Sequence, residues 1–175
     1  MKNNGLNIKG LCKQIKASRK NMMWSLNDGV HTITDRYWMA QFKEIPKEVQ
    51  IELYAIFAQF PEEGMHIRYD RFSDSILKGV FIDHTSILDG ANKGEPAKDT
   101  RFSYDLNGMT ARVFKRDDIY SYVNEGYLLA VKEYDGEILM TGKMQPVYFK
   151  DASYLVLPYR MGNAPEKEVL ELFTK

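Results

Sequence analysis

Two stretches of this chain, residues 6–42 and 120–160, pass through the same order of local signals: a short strand, a short helix, then a meander of three strands. That repetition constrains the fold more than any single motif. Two such meanders can pair into one larger sheet arrangement with both helices on one face. In the first copy Leu6 and Ile8 alternate with Asn7 as a short strand, and Leu11, Cys12 and Ile15 then share a helical face that ends near Ser18. Met22, Trp24 and Leu26 alternate with Met23, Ser25 and Asn27. The run Asn27-Asp28-Gly29 supplies hairpin turn residues leading into Val30, His31, Thr32, Ile33 and Thr34. After a turn at Asp35-Arg36, Tyr37, Met39 and Gln41 face opposite to Trp38, Ala40 and Phe42. In the second copy residues 120–123 form a strand and Asn124 caps a helix through Tyr127 to Val131, with strands over 137–142, 147–150 and 154–157. The two copies share little sequence identity.

Between the copies, Pro46 opens a helix whose Val49, Leu53, Ile56, Phe57 and Phe60 lie on one side, stopped by Pro61 and Gly64. Residues 65–71 alternate as a strand, 72–89 read equally as helix or strand, and 89–100, with Gly90, Gly94 and Pro96, read as a loop. Strands over 102–106 and 109–115 flank the hairpin signal Asn107-Gly108, and a polar helix from Pro165 closes the sequence. No linker or low-complexity stretch divides it, so residues 1–175 read as one α+β domain with an inserted helix and a C-terminal helix.

Charge sharpens this picture. Lys+Arg and Asp+Glu are both 24, yet no acidic residue precedes Asp28, while Lys2, Lys9, Lys13, Lys16, Arg19 and Lys20 are all basic. A field polarised in this way suits a face that meets phosphate or another acidic partner. Lys9, Lys13, Lys16 and Lys20 are spaced by four, three and four residues, which sets them along one stripe if the helix persists that far. Such a stripe reads either as a solvated face or as a binding surface. The apolar runs at 127–131 and 154–158 are far too short for a bilayer, and no basic start precedes an apolar signal stretch. The expectation is therefore no membrane and a cytoplasmic location, which a lone thiol, Cys12, also fits.

The stretch Val123-Asn124-Glu125-Gly126-Tyr127-Leu128-Leu129-Ala130-Val131 resembles the helix entry of the last domain of DNA polymerase sliding clamps of the bacterial beta-subunit type. Gln145-Pro146-Val147-Tyr148-Phe149 and Tyr154-Leu155-Val156-Leu157-Pro158-Tyr159-Arg160-Met161 are similar to that family's final strands, and residues 21–42, with Thr34-Asp35, to the first hairpin of a clamp domain. The resemblance covers residues 6–42 and 120–161 and leaves 43–119 unmatched. The helix from Pro46 departs from the family pattern. So does the length, which holds one clamp domain where family members carry two or three, so a ring would need several copies.

The resemblance implies a clamp-like fold and a non-enzymatic, DNA-associated scaffold without a cofactor. Its helices would present Lys9, Lys13, Lys16, Arg19, Lys20 and Lys132 to the backbone of duplex DNA, without reading sequence, because phosphate attraction needs no register. It also implies a homo-oligomer around DNA, and a C-terminal apolar groove formed by Leu157, Pro158, Tyr159, Arg160 and Met161. That groove would take a linear peptide of a DNA polymerase or another replication protein. Tyr154 to Val156 read also as an ordinary core strand. The tail Val169-Leu170-Glu171-Leu172-Phe173 resembles the family's partner peptide in its Leu-x-Leu-Phe core but lacks the leading Gln, and reads equally as an amphipathic terminal helix. An alternative is a protein interaction module of phage or mobile-element type that keeps the fold without binding DNA.

For catalysis the residues offer little. His31, His66 and His84 have no partner at metal-ligand spacing, and neither a phosphate-cradling loop with a Lys nor a nucleophile elbow is present. No metal site is expected. Asp70, Asp74 and Asp83-His84 are the only seed of a third reading, a small hydrolase.

Overall fold

Asn7 caps a helix instead of extending a strand: its side chain accepts from the Gly10 N–H at 2.9 Å and opens α1 (Ile8–Ala17). In this computed structural model, which describes residues 5–106, 108–160, 165 and 167–173, the first repeat therefore lacks the strand expected at residues 6–8. The Asn7 N–H is instead bound at 2.7 Å by the carbonyl of Ala130 in the second repeat.

The remaining elements follow from local chemistry. Strands β1 (Met23–Asn27) and β2 (Val30–Thr34) pair with Asn27 opposite Val30, across a two-residue turn in which Asp28 and Gly29 both take positive φ (51° and 67°). Glycine makes that turn inexpensive. Asp35 organises the next turn: one carboxylate oxygen accepts from the N–H groups of Tyr37 (2.9 Å) and Trp38 (3.1 Å), and the other from the Ser18 hydroxyl (2.6 Å). β3 (Trp38–Phe42) follows, then α2 (Lys47–Phe57), whose buried Val49, Leu53 and Phe57 recur every fourth residue. The expected helix to Phe60 stops at Ala58, which adopts φ 51° and donates to the Tyr54 carbonyl at 2.8 Å.

Strands β4 (Met65–Asp70) and β5 (Ser75–Val80) form a hairpin, and α3 (Thr85–Asn92) and β6 (Glu95–Leu106) come next. Residues 89–100 are thus not the loop their Gly and Pro content suggests. Ala91 is buried against Met39, Leu139, Tyr148 and Leu155, with Leu88 beside it, and this burial outweighs the local turn propensity. β6 pairs first with β9 (Ile138–Met140) and then, through a bulge between Asp99 and Ser103, with β7 (Met109–Arg116). Asn107 lies outside the described residues, although Leu106 stands opposite Met109. β8 (Ile119–Asn124) leads into a 3-10 helix (Glu125–Val131) whose Asn124 cap accepts from the Gly126 N–H at 2.9 Å. β10 (Val147–Phe149), β11 (Tyr154–Val156) and α4 (Lys167–Phe173) complete the described chain.

Among the described residues eleven strands form one sheet in the order β5-β4-β1-β2-β3-β11-β10-β9-β6-β7-β8, with every pairing antiparallel. The two meanders, β1-β2-β3 and β9-β10-β11, meet at β3 and β11, where Ala40 stands opposite Tyr154. The two-residue alternation sends Trp24, Ile33, Trp38, Ala40, Phe42, Phe149 and Tyr154 to one face, against α1, α2 and the 3-10 helix. Helices are not confined to that face, as the repeat led us to expect. α3 covers Met39, Leu139, Tyr148 and Leu155 on the other side, and Leu170 of α4 packs there on Val113, Tyr120 and Tyr122. Those outward apolar positions make the sheet two-sided, so both faces require cover.

One core contact carries a pH dependence. The Trp24 indole N–H donates to His31 Nδ1 at 3.2 Å, and burial pushes the His31 pKa below its ordinary 6.5. Between its folded and unfolded pKa the unfolded chain binds the extra proton, so stability falls as the pH drops from about 6.5 towards the lower folded value. Urea midpoints are expected to decline over that window, and less steeply in His31→Gln. Equal slopes for the two proteins would remove His31 as the cause.

Candidate nucleic-acid interface and docking groove

Gly10, Leu11, Gln14 and Ile15 are the buried residues of α1. At a rotation of about 100° per residue, Lys9, Lys13 and Lys16 fall within about 60° of one another on the opposite side of the helix. All three are exposed. The stripe does not continue as drawn from the sequence, because α1 ends at Ala17 and Arg19 and Lys20 belong to a short 3-10 turn (Arg19–Asn21). Arg19 donates to the Ala55 carbonyl of α2 at 3.1 Å, and Lys20 lies 3.7 Å from Asp74. Lys16 pairs with Glu52 of α2 at 3.0 Å. Among the described residues Lys9 and Lys13 have no ion-pair partner, and they are the free cations of this face.

α1 is held to the second repeat by buried polar contacts. The Gln14 side chain accepts from the Ala130 N–H at 2.6 Å and donates to the Tyr154 hydroxyl at 2.8 Å, which in turn donates to the Tyr127 carbonyl at 2.6 Å. Burial drives the Tyr154 phenol well above its ordinary pKa, so it remains a neutral donor. This network ties α1 and the 3-10 helix to β11 and orients the lysine face. Lys132, at the end of the 3-10 helix, is exposed next to the exposed Glu133, and has no ion-pair partner among the described residues. The DNA-binding candidates thus form one compact trio on α1, with Arg19 and Lys20 turned to neighbours and Lys132 on a separate helix.

On the opposite face of the sheet, Met23, Met39, Leu155 and Leu157 line an apolar groove of about 180 Å³, closed on one side by Ile87 of α3 and by His84, which immediately precedes that helix. Burial pushes the His84 pKa down, with Asp83 opposing and His66 assisting, and its Nε2 has no hydrogen-bond partner among the described residues. Of the expected peptide site only Leu157 lines this groove; Pro158, Tyr159 and Arg160 do not. The backbone is tied down there, with the Leu157 N–H donating to the Tyr37 carbonyl and the Tyr159 N–H to the Tyr122 carbonyl, both at 2.7 Å. Met161 lies outside the described residues. Tyr154, Leu155 and Val156 are buried, as a core strand requires. The tail packs on its own sheet: Leu170 is buried and the Phe173 ring stacks on Phe102 at 5.1 Å, while Leu172 is 68% exposed.

The acidic residues of the hydrolase reading do not converge. Asp70 and Asp74 flank the turn between β4 and β5, with Asp74 accepting from the Tyr69 hydroxyl, while Asp83 and His84 follow the far end of β5. Six extended residues, about 20 Å, separate the two sites. Sequence reasoning missed the groove because Met23, Met39 and Ile87 are ordinary strand and helix residues until the fold brings them together. It also missed Arg112, an inward position on β7 that pairs with Asp99 at 3.4 Å and with Glu125. The signal was available in the alternation of Arg112, Phe114 and Arg116 with Val113.

Neither a family model nor a curated protein matches this chain. Fold and site define an α+β protein built on a large antiparallel sheet, with a lysine-bearing helix layer on one face and an apolar groove on the other. No described helix is long and apolar enough to cross a membrane.

Proposed function

We propose that the protein is a sliding-clamp-like, non-enzymatic scaffold whose α1 face associates with the backbone of duplex DNA in an oligomer of this chain. The observation that carries this reading is the free, exposed pair Lys9 and Lys13, with Lys16, opposite the buried side of a helix anchored to the second repeat. Ammonium groups on flexible stems attract phosphate without reading bases, which suits sliding contact. The sheet order ends in two edge strands, β5 and β8, and joining unlike edges of successive copies is a heterologous contact that can close a ring.

The test is solution mass by light scattering together with fluorescence anisotropy of a labelled duplex at about 50 and about 200 mM salt. A closed multimer whose duplex affinity falls steeply across that range is the expected result. A monomer indifferent to the duplex would overturn the reading.

A second reading, a protein interaction module that does not bind DNA, draws on the groove around Leu157 and on the ion pairs that neutralise Lys16 and Lys20. A few buried apolar anchors are sufficient to seat a linear peptide in such a groove. Leu157 is 38% exposed, so Leu157→Glu is expected to leave the fold intact and to abolish capture of an apolar peptide. Unchanged capture would place peptide binding elsewhere.

A further inference from the structure

The groove of about 180 Å³ on the α3 side of the sheet joins an open apolar channel to two unused polar groups. Its floor is the buried pair Met39 and Leu155, but its walls are surface: Ile87 is 44% exposed, Leu157 38% and Tyr37 53%, and Met23 is half-buried. A ligand therefore reaches these side chains without opening the core. An apolar cavity of about 150 Å³ holds the six carbons of benzene, so this one takes an aliphatic chain of about that size. Met23 and Met39 carry flexible thioethers that adapt to such a chain.

Arg36 lines the groove, and its guanidinium has no hydrogen bond or ion pair among the described residues. Its backbone, in contrast, is fixed. Arg36 takes φ 82°, with its N–H donating at 2.9 Å to the Thr34 hydroxyl, which itself donates to the Trp38 carbonyl at 2.6 Å. A residue with a side chain persists in that region only where its neighbours hold it there. His84 is the second polar group. It lines the same groove, and its Nε2 is buried without a hydrogen-bond partner among the described residues. Such a nitrogen is costly to leave unpaired, and a ligand that bonds it removes that cost. Burial pushes the His84 pKa below its ordinary 6.5, so near pH 7 the imidazole is neutral and Arg36 is the one formal charge of the lining.

We infer that the groove binds a medium-chain aliphatic carboxylate, a monoanion of about six carbons. Its chain lies along Met23, Met39, Ile87 and Leu157, and its carboxylate is taken by the fork of Arg36, with the Nε2–H tautomer of His84 as a second donor. One guanidinium matches one carboxylate in charge and in planar geometry. A phosphate dianion would leave a negative charge uncompensated, and an amine would face the Arg36 cation. The inference stands apart from DNA association by α1, and it goes beyond the peptide reading of this groove by assigning it to a small anion.

The test titrates the full chain with hexanoate, hexanol, hexylamine and an end-blocked trileucine peptide, following the NMR methyl signals of Ile87 and Leu157. Hexanoate is expected to shift them saturably and about tenfold more tightly than hexanol, with hexylamine weaker still. Each methylene added from butanoate to hexanoate is expected to tighten binding by about fourfold. Arg36→Gln should weaken hexanoate by about tenfold and leave hexanol unchanged, whereas Lys47→Gln, at an exposed position of α2 on the other side of the sheet, should change neither. The inference is overturned if hexanoate gives no saturable shift, if hexanol or hexylamine binds as tightly, or if Arg36→Gln has no effect. Trileucine that shifts these signals where hexanoate does not would overturn it and leave the peptide reading standing; hexanoate that binds where trileucine does not would do the reverse.

Discussion

Gly10→Ala is expected to destabilise the protein by about 3 kcal/mol, although helix propensity alone predicts a gain of about 1 kcal/mol. A Cβ at Gly10 would stand 1.9 Å from the Leu129 carbonyl oxygen and 2.5 Å from its carbon. Those atoms are backbone, so no side-chain rotation relieves the overlap and the two helices must separate. Separation would also strain the Asn7 and Gln14 bonds to Ala130. Gly90 of α3 is the control, because a Cβ there meets nothing within 4 Å, so Gly90→Ala should stabilise by about 0.5–1 kcal/mol. Urea unfolding of the two variants should give shifts of opposite sign. A neutral or stabilising Gly10→Ala would show that α1 and the 3-10 helix are not in close backbone contact.

The second large effect concerns the lysine face. Lys9→Ala, Lys13→Ala and Lys16→Ala together are expected to lower the slope of log affinity for duplex DNA against log salt by about 2.7, roughly 0.9 for each phosphate no longer neutralised. Reversal of the same three to Glu should abolish association at low salt. Stability should change little, because all three are exposed and the one ion pair removed, Lys16 with Glu52, is a surface pair worth about 0–1 kcal/mol. Lys167→Glu on α4, across the sheet from α1, serves as the control for net charge. Equal loss of binding in that control would mean a diffuse electrostatic attraction and no defined DNA face.

The lysine face was readable because helical spacing is local, and Leu11 and Ile15 mark the buried side that the lysines oppose. Its extension to Lys20 was not, since the turn after Ser18 is held by Asp35 and α2, both distant in sequence. Gly10 looked like an ordinary helix residue until residue 129 was placed against it. The expected strand at residues 6–8 failed for a similar reason: Asn7 commits its polar groups to a helix cap and to Ala130, and nothing nearby announces that partner.

Local residue order accounts for the alternation that makes both meanders, the Asn27-Asp28-Gly29 turn, the buried side of α2 and the Asn124 cap, because each depends on residues within a few positions of one another. The joining of β3 to β11, the cover of the second face by α3 and α4, and the groove of Met23, Ile87 and Leu157 arise from contacts between distant segments. Long-range packing alone brought Asp99 and Glu125 to Arg112. Those outcomes follow from burying outward apolar positions and pairing inward charges between segments far apart in the chain, a balance that no local window of sequence contains.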